Sequence, residues 1–196
     1  MVRRMPEQWY EVVAAAEGLL QGDIILTCPI LDWQPTPLQA EGQGELEQLK
    51  HNYEILRADV VVMTQACDLE QKHVKDVVVC PVYSLPDVKA TWTAKREAAG
   101  QNPSNSAWKS FCDDIKKGFI WNYAMLNRCE IGEHKFEHRV VDFHDIYTLP
   151  LPFLQGLASN RGPRFRLRPP YREHLSQAFA RYFMRVGLPS NVESAW

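Results

Sequence analysis

Two valine-rich runs constrain this chain more than any other feature: "ADVVVMTQ" at residues 58–65 and "DVVVCPVYS" at 76–84. Each has strand length, is rich in β-branched residues and lacks the alternation of a strand with one wet face. Such a run reads as a strand buried on both sides. About a dozen residues separate them, and the intervening "DLEQKHVK" leaves room for one or two helical turns. "DIILTCPIL", 23–31, follows Gly22 and reads as a third strand.

Around these strands the pattern is mixed. "PEQWYEVVAAAEGLL", 6–20, predicts a helix, with Trp9, Val12, Val13, Ala16 and Leu19 or Leu20 recurring at helical spacing behind Pro6. "DWQPTPLQAEGQGE" reads as a loop, and "LEQLKHNYEIL" as either a strand or a short helix. "PDVKATWTAKREAAG" and "SAWKSFCDDIKKG" predict two helices, the second with Trp108, Phe111, Cys112 and Ile115 on one face and Gly118 past its end. They interrupt the strands and read as an insertion at about 87–118. "FIWNYAMLNRCEI" and "HRVVDFHDIYTLP" read as strands joined through "GEHKFE", and "LPLPFLQGLASNRGP" as irregular chain. "PPYREHLSQAFARYFMRVGLP" is the clearest helix: proline precedes it, Leu175, Ala178, Phe179, Tyr182, Phe183 and Val186 follow the i, i+3, i+4 rule, and Gly187 and Pro189 end it.

The 196 residues, 45% hydrophobic and 23% charged, suit one domain, 1–196, able to bury a core. No run approaches the roughly 18 apolar residues of a spanning helix, and the start lacks the apolar stretch of a signal peptide. Cys28, Cys67, Cys80, Cys112 and Cys129 are odd in number and form no CxxC, so neither a disulfide framework nor a zinc ribbon is indicated. These features predict a reducing, cytoplasmic setting. Charge is unevenly distributed. Acids outnumber bases up to residue 60, whereas Arg161, Arg164, Arg166, Arg168, Arg172, Arg181 and Arg185 face only Glu173 in 161–185. A basic end suits phosphates or an acidic partner.

The string "QGDIIL…ADVVVMTQACDL…DVVVCPVYS" resembles the core of the MazF/PemK-like proteins, over roughly residues 21–86. The resemblance implies a small SH3-like β-barrel within an α+β chain. Its strands would lie at about 22–86 and 119–149, with flanking N- and C-terminal helices and a C-terminal arm and helix at about 161–187. The family's toxins are endoribonucleases acting on single-stranded RNA. Their arginine before the proline of the second apolar strand meets Ala58 and Asp59 here, with Arg57 one place early, and their threonine meets Tyr83 or Ser84. The catalytic pair does not carry over. The chain also resembles bacterial proteins that join a Ser/Thr-Gln-x-Cys-Asp motif to a similar C-terminal helix. Together these resemblances imply an accessory protein of a bacterial stress or antiviral-defence system, of which a CRISPR-associated protein is one example.

Several residues invite chemical readings. Cys67 at a strand end beside a helix start would be an exposed, activated thiol, with Asp68 and His73 to orient it and Thr64 and Gln65 as hydrogen-bonding groups. Alternatively, Asp68 is an N-cap with Gln71 as its return partner, and Cys67 is a small buried hydrophobe. His134, His138 and His144 near Cys129 invite a metal reading, although the pattern equally fits an exposed hairpin, and no metal or other cofactor is expected. Asp113 and Asp114 are adjacent on a helix and diverge. In "RGPRFRLRPPYR", Arg164, Arg166 and Arg168 alternate with Phe165 and Leu167, so a strand would present the arginines on one face. Together with Arg161 and Arg172 they form the candidate binding surface for single-stranded RNA or a protein partner; the alternative pairs them with the acidic N-terminal half. Trp33, Trp92, Trp108 and Trp121 suit core or partner-interface positions. The expected function is a non-catalytic binding or regulatory module, with a diverged endoribonuclease and a Cys67-dependent hydrolase as alternatives.

Overall fold

A computed structural model describes residues 8–34, 37, 39 and 41–184. Pro6, Arg185, Val186, Gly187 and Pro189 lie outside the described residues. Among the described residues ten strands and six helices follow in the order β1 (Tyr10–Val13), β2 (Asp23–Trp33), α1 (Gln43–His51), β3 (Tyr53–Val62), α2 (Ala66–Glu70), β4 (Asp76–Ser84), α3 (Leu85–Ala98), α4 (Asn105–Lys116), β5 (Tyr123–Leu126), β6 (Cys129–Ile131), β7 (His134–Phe136), β8 (Arg139–Asp142), β9 (Tyr147–Pro150), α5 (Leu151–Asn160), β10 (Arg164–Leu167) and α6 (Tyr171–Phe183).

The valine runs become neighbouring antiparallel strands. Val60 pairs with Pro81, Val61 with Cys80 and Val62 with Val79. Successive side chains alternate between two buried faces. Val60, Val62, Val77 and Val79 pack with Leu69 of α2, Leu149, and Leu151, Leu154 and Ala158 of α5. Val61, Met63, Cys80 and Val82 pack on the opposite face with Val141, Phe143, Phe165, Leu167 and Leu175 of α6. The sheet is thus covered on both sides, which is why these strands need no polar alternation. Each fully buried valine or leucine contributes about 1.5–3 kcal/mol.

The fold is a mixed α+β architecture around a mostly antiparallel sheet ordered β1-β10-β2-β3-β4-β8-β5, with β9 also on β4. Val79 pairs with Val62 on one side and Tyr147 on the other, so β9 lies along the β4 edge opposite β3. In β2 a bulge at Thr27, with φ of 50°, keeps both Ile25 and Cys28 in the same core. Closure into an SH3-like barrel is not among the described pairings, and the sheet is open between β1 and β5. A side chain bridges the gap instead. Tyr10 Oη donates to Asn127 O at 2.7 Å, and Phe136 of the β6–β7 hairpin packs against both Tyr10 and Phe165.

Two expectations are corrected. The predicted N-terminal helix is β1 followed by a loop. Tyr10–Val13 pairs with Leu167–Arg164, and this long-range ladder overrides local helical spacing. The predicted irregular stretch holds α5. Pro150 stands at its N-cap and Pro152 in its first turn, where backbone N–H groups have no helical partner to lose. The ambiguous 46–56 segment is both a helix end and a strand start, turning at Asn52.

Candidate functional site

The arginine stretch lies in and around β10, and its first members point inward. Arg164 and Arg166 are each 6% exposed, and Asp23 between them has no exposure. Arg164 Nε donates to Asp23 Oδ2 at 2.7 Å, and Arg166 Nε to Oδ1 at 2.5 Å. Their remaining donors reach chain carbonyls: Arg164 Nη2 bonds Glu17 O and Gly18 O, and Arg166 Nη2 bonds Gly18 O. These bonds fix the 14–20 loop to the sheet. The expected open basic face is therefore corrected for these two residues, because Phe165 and Leu167 are buried on the other side as well. Pairing with the acidic N-terminal half is what the geometry shows.

The other candidate arginines are also engaged. Arg161 Nη1 donates to Leu26 O and Thr27 Oγ1, and its Nη2 to Thr27 O, bracing the β2 bulge. Arg168 Nη1 donates to Gln8 Oε1 at 3.1 Å. Arg172 holds Glu173 Oε1 through Nε and Nη2 at 3.0 and 2.7 Å.

Cys67 is exposed, not buried as the capping interpretation expected. Helix α2 starts after Gln65, so Asp68 lies inside it and does not cap it. The Cys67 sulfur is 3.7 Å from Gln65 Oε1 and 3.9 Å from Asp68 Oδ1, both acceptors. Among the described hydrogen bonds none joins the His73 ring to Cys67; His73 donates its backbone N–H to Asp68 O. Thr64 Oγ1 accepts from Val78 N at 2.7 Å, a tie between β3 and β4. For the nuclease alternative, Ser84 caps α3 by accepting from Asp87 N, and its hydroxyl meets Asp87 Oδ2 at 2.5 Å.

The histidines disperse. His134 meets Phe165 edge-on, His144 meets Tyr182, and His138 borders a cleft. Among the described residues no group of three or more His, Cys, Asp or Glu is placed to hold a metal ion. Trp92 and Trp108 cluster with Phe111 between α3 and α4. Trp33 is 59% exposed beside Tyr53 on the outer part of the β2–β3 ribbon.

The cleft at His138 is the site that sequence reading missed. It encloses about 560 Å³ between β5 and α6. Tyr123 to Asn127 form one wall, and Tyr171, His174, Leu175, Ala178 and Arg181 the other. Ile115, Lys116, Lys117 and Gly118 from the end of α4 border it, as does Trp9. Among the described residues no aspartate or glutamate lines it. Lys116, Lys117 and Arg181 make no ion pair among the described residues; Arg181 lies over the Trp121 ring at 5.2 Å. Gly118, with φ of 73°, turns the chain at the end of α4, and a Cβ added there would lie 3.5 Å from Arg181 Nη1. Burial, and then the Asp142 carboxylate, hold the Tyr123 hydroxyl above its ordinary range, so it is a neutral donor at physiological pH. The helical pattern of α6 pointed to one side of this cleft, but nothing local in the sequence brings β5 and the end of α4 alongside it.

No protein-family model, curated protein or solved structure matches the chain. Among the described residues no helix is long and apolar enough to cross a membrane.

Proposed function

We propose that this chain is a non-catalytic binding module that holds an acidic segment of a protein partner in the cleft between β5 and α6. One observation carries this reading: Lys116, Lys117 and Arg181 converge, without carboxylate partners among the described residues, on a cleft whose lining includes Ile115, Leu126, Leu175 and Ala178. Uncompensated cations around apolar surface suit a partner that supplies both carboxylates and apolar side chains. Single-stranded RNA is the weaker candidate. Trp9 and Tyr171 stack on each other at 4.0 Å, so each ring has a face already occupied. The engaged Ser84 hydroxyl and the acceptor-surrounded Cys67 support a role without chemistry of its own. An accessory place in a bacterial stress or antiviral-defence system belongs to the same proposal. So does the reading of the frame as an SH3-like barrel opened on one side, supported by the Tyr10–Asn127 bridge.

The test is selection from a displayed library of random dodecapeptides on the immobilised protein. The expected result is enrichment of Asp- and Glu-containing peptides. Their binding should fall at least about tenfold in Lys116→Glu/Lys117→Glu/Arg181→Glu and persist in Arg168→Glu. Equal binding by the triple variant overturns the proposal, as does binding of a dodecauridylate probe with no peptide enriched.

A further inference from the structure

The proposed cleft has an unfinished sheet for a wall. Among the described residues strand β5 ends the sheet and pairs with β8 alone, through Tyr123↔Asp142, Ala124↔Val141, Met125↔Val140 and Leu126↔Arg139. The hydrogen-bonding phase of this ladder is fixed at both borders. Phe143 N donates to Asn122 O at 2.8 Å, so residues 122, 124 and 126 turn their backbone groups toward β8. On the other side of β8, Leu85 N donates to His138 O at 2.9 Å, which directs residues 138 and 140 toward β4. The two bonds agree. Tyr123 and Met125 therefore turn their backbone groups away from the sheet, toward the free edge. Tyr123 N is taken by Ile120 O at 3.2 Å, which leaves Tyr123 C=O, Met125 N–H and Met125 C=O along the edge.

Natural sheet edges are guarded by charge, proline, bulges or a covering element. The opposite edge, β1, is covered: Tyr10 packs on Phe136 of the β6–β7 hairpin and reaches Asn127. Strand β5 reads "YAML", without charge or proline, and its pairing with β8 is continuous. Helix α4 packs beside it, with Phe111 edge-on to the Tyr123 ring, and the strand borders a groove with α6 as the far wall and Lys116, Lys117 and Arg181 at the border. An edge strand facing a helix across a groove is the arrangement in which an extended peptide adds a strand, its main chain supplying hydrogen bonds and alternate side chains filling the groove.

We infer that the partner segment binds as an added β-strand on β5, in extended conformation, with carboxylates toward Lys116, Lys117 and Arg181. This rests on the cleft being the partner site, and it adds the segment's conformation and the backbone groups that read it. Only alternate residues of an added strand turn their N–H toward β5, so one phase of the peptide is essential and the other is not.

The test takes peptides selected on the wild-type protein and scans them with single backbone N-methylations, measuring affinity by fluorescence anisotropy. N-methylation at alternate positions of the central segment should weaken binding at least about tenfold, and at the intervening positions less than about twofold. Met125→Pro should give a comparable loss, since it removes the edge-facing N–H while sparing every β5–β8 bond; proline is tolerated on an edge strand in that orientation. A far-UV circular dichroism spectrum like wild type confirms that Met125→Pro folds. The methylation scan alters only the peptide and decides the question even if that variant does not. Loss at consecutive positions, or tolerance at all of them, overturns strand addition. If the charge-reversed triple variant still loses those same peptides, the cleft survives as the site. If it retains them, both proposals fall.

Discussion

Arg164 Nε lies 2.7 Å from Asp23 Oδ2, and the Asp23 side chain is completely shielded from solvent. Arg166 holds the other carboxylate oxygen, so one buried anion faces two buried cations. The Glu17 carboxylate, 3.9 Å from Arg166 and half exposed, and the carbonyls of residues 14, 17 and 18 complete the shell. Removing one partner of such a group leaves the rest uncompensated in a poorly solvated place, which costs more than the pair contributes. Asp23→Ala should lower the unfolding free energy by about 3–5 kcal/mol in urea denaturation. Arg168→Ala, one residue past the end of β10 but exposed and with its side chain bonded to Gln8, should change it by less than about 0.5 kcal/mol. Similar costs for the two would mean that the buried cluster does not hold the N-terminal loop.

Gly22 stands where that cluster meets the sheet. Its φ is +84°, and a Cβ there would come within 3.1 Å of Leu167 Cβ and 3.2 Å of Arg172 Cγ. Left-handed backbone costs a residue with a side chain roughly 1–2 kcal/mol, and the two contacts add to that. Gly22→Ala should therefore destabilise by about 2–3 kcal/mol, measured by the same urea titration. Gly18 is the control: its φ is not in the positive range and nothing lies within 4 Å of an added Cβ. Gly18→Ala should be neutral or stabilising by up to about 1 kcal/mol.

What the sequence revealed of the fold follows the burial of each segment. Val60–Val62 and Val77–Val79 were legible because both faces of the sheet are covered, a state that local composition records directly. The 6–20 segment was not. Val12 and Val13 have helical spacing, but their partners, Phe165 and Arg164, lie about 150 residues away. The alanine-rich segment after them makes a single turn, Glu17 N donating to Ala14 O, and Arg164 donates to Ala14 O and Glu17 O. Pairing of the arginines with the acidic N-terminal half was one of the readings, and the same remoteness hid which acid they meet. Alternation in "RFRLR" gives the two faces of a strand, but it says nothing about a buried Asp23 waiting on one of them. Of the candidate site, only the α6 wall, through Arg181, fell in the segment singled out as basic. Lys116 and Lys117 read as the ordinary charged end of a helix, and the free edge of β5 exists only through the order of strands in the finished sheet.

The cysteines separate by burial, which gives a chemical and a pH prediction together. Cys67 is exposed, Cys112 partly exposed, and Cys28, Cys80 and Cys129 are buried. In the native protein iodoacetamide should label Cys67 first and Cys112 more slowly, with the other three protected until urea unfolds the chain; peptide mass spectrometry reads the order. Early labelling of Cys28 or Cys80 would contradict the buried strands β2 and β4. Burial pushes the Cys28 thiol up to about 11, against the opposing pull of Arg161. Burial, reinforced by Asp142 and Asp145, pushes Cys80 up to about 12. The ordinary value, 9.0, holds once the chain unfolds. Below that value both states keep the proton and these thiols contribute no pH dependence. Above it the unfolded chain releases protons that the folded chain retains, so stability falls as pH rises from about 9 toward the folded values. Each thiol should add about 1.4 kcal/mol per pH unit to that decline. Urea titrations between pH 8 and 11 should show the steepening, and Cys28→Ala/Cys80→Ala should flatten it by about two protons' worth while starting from a lower plateau. An unchanged slope in the double variant would place the alkaline titration elsewhere, with Tyr83 and Tyr147, both held near 12, next to be replaced.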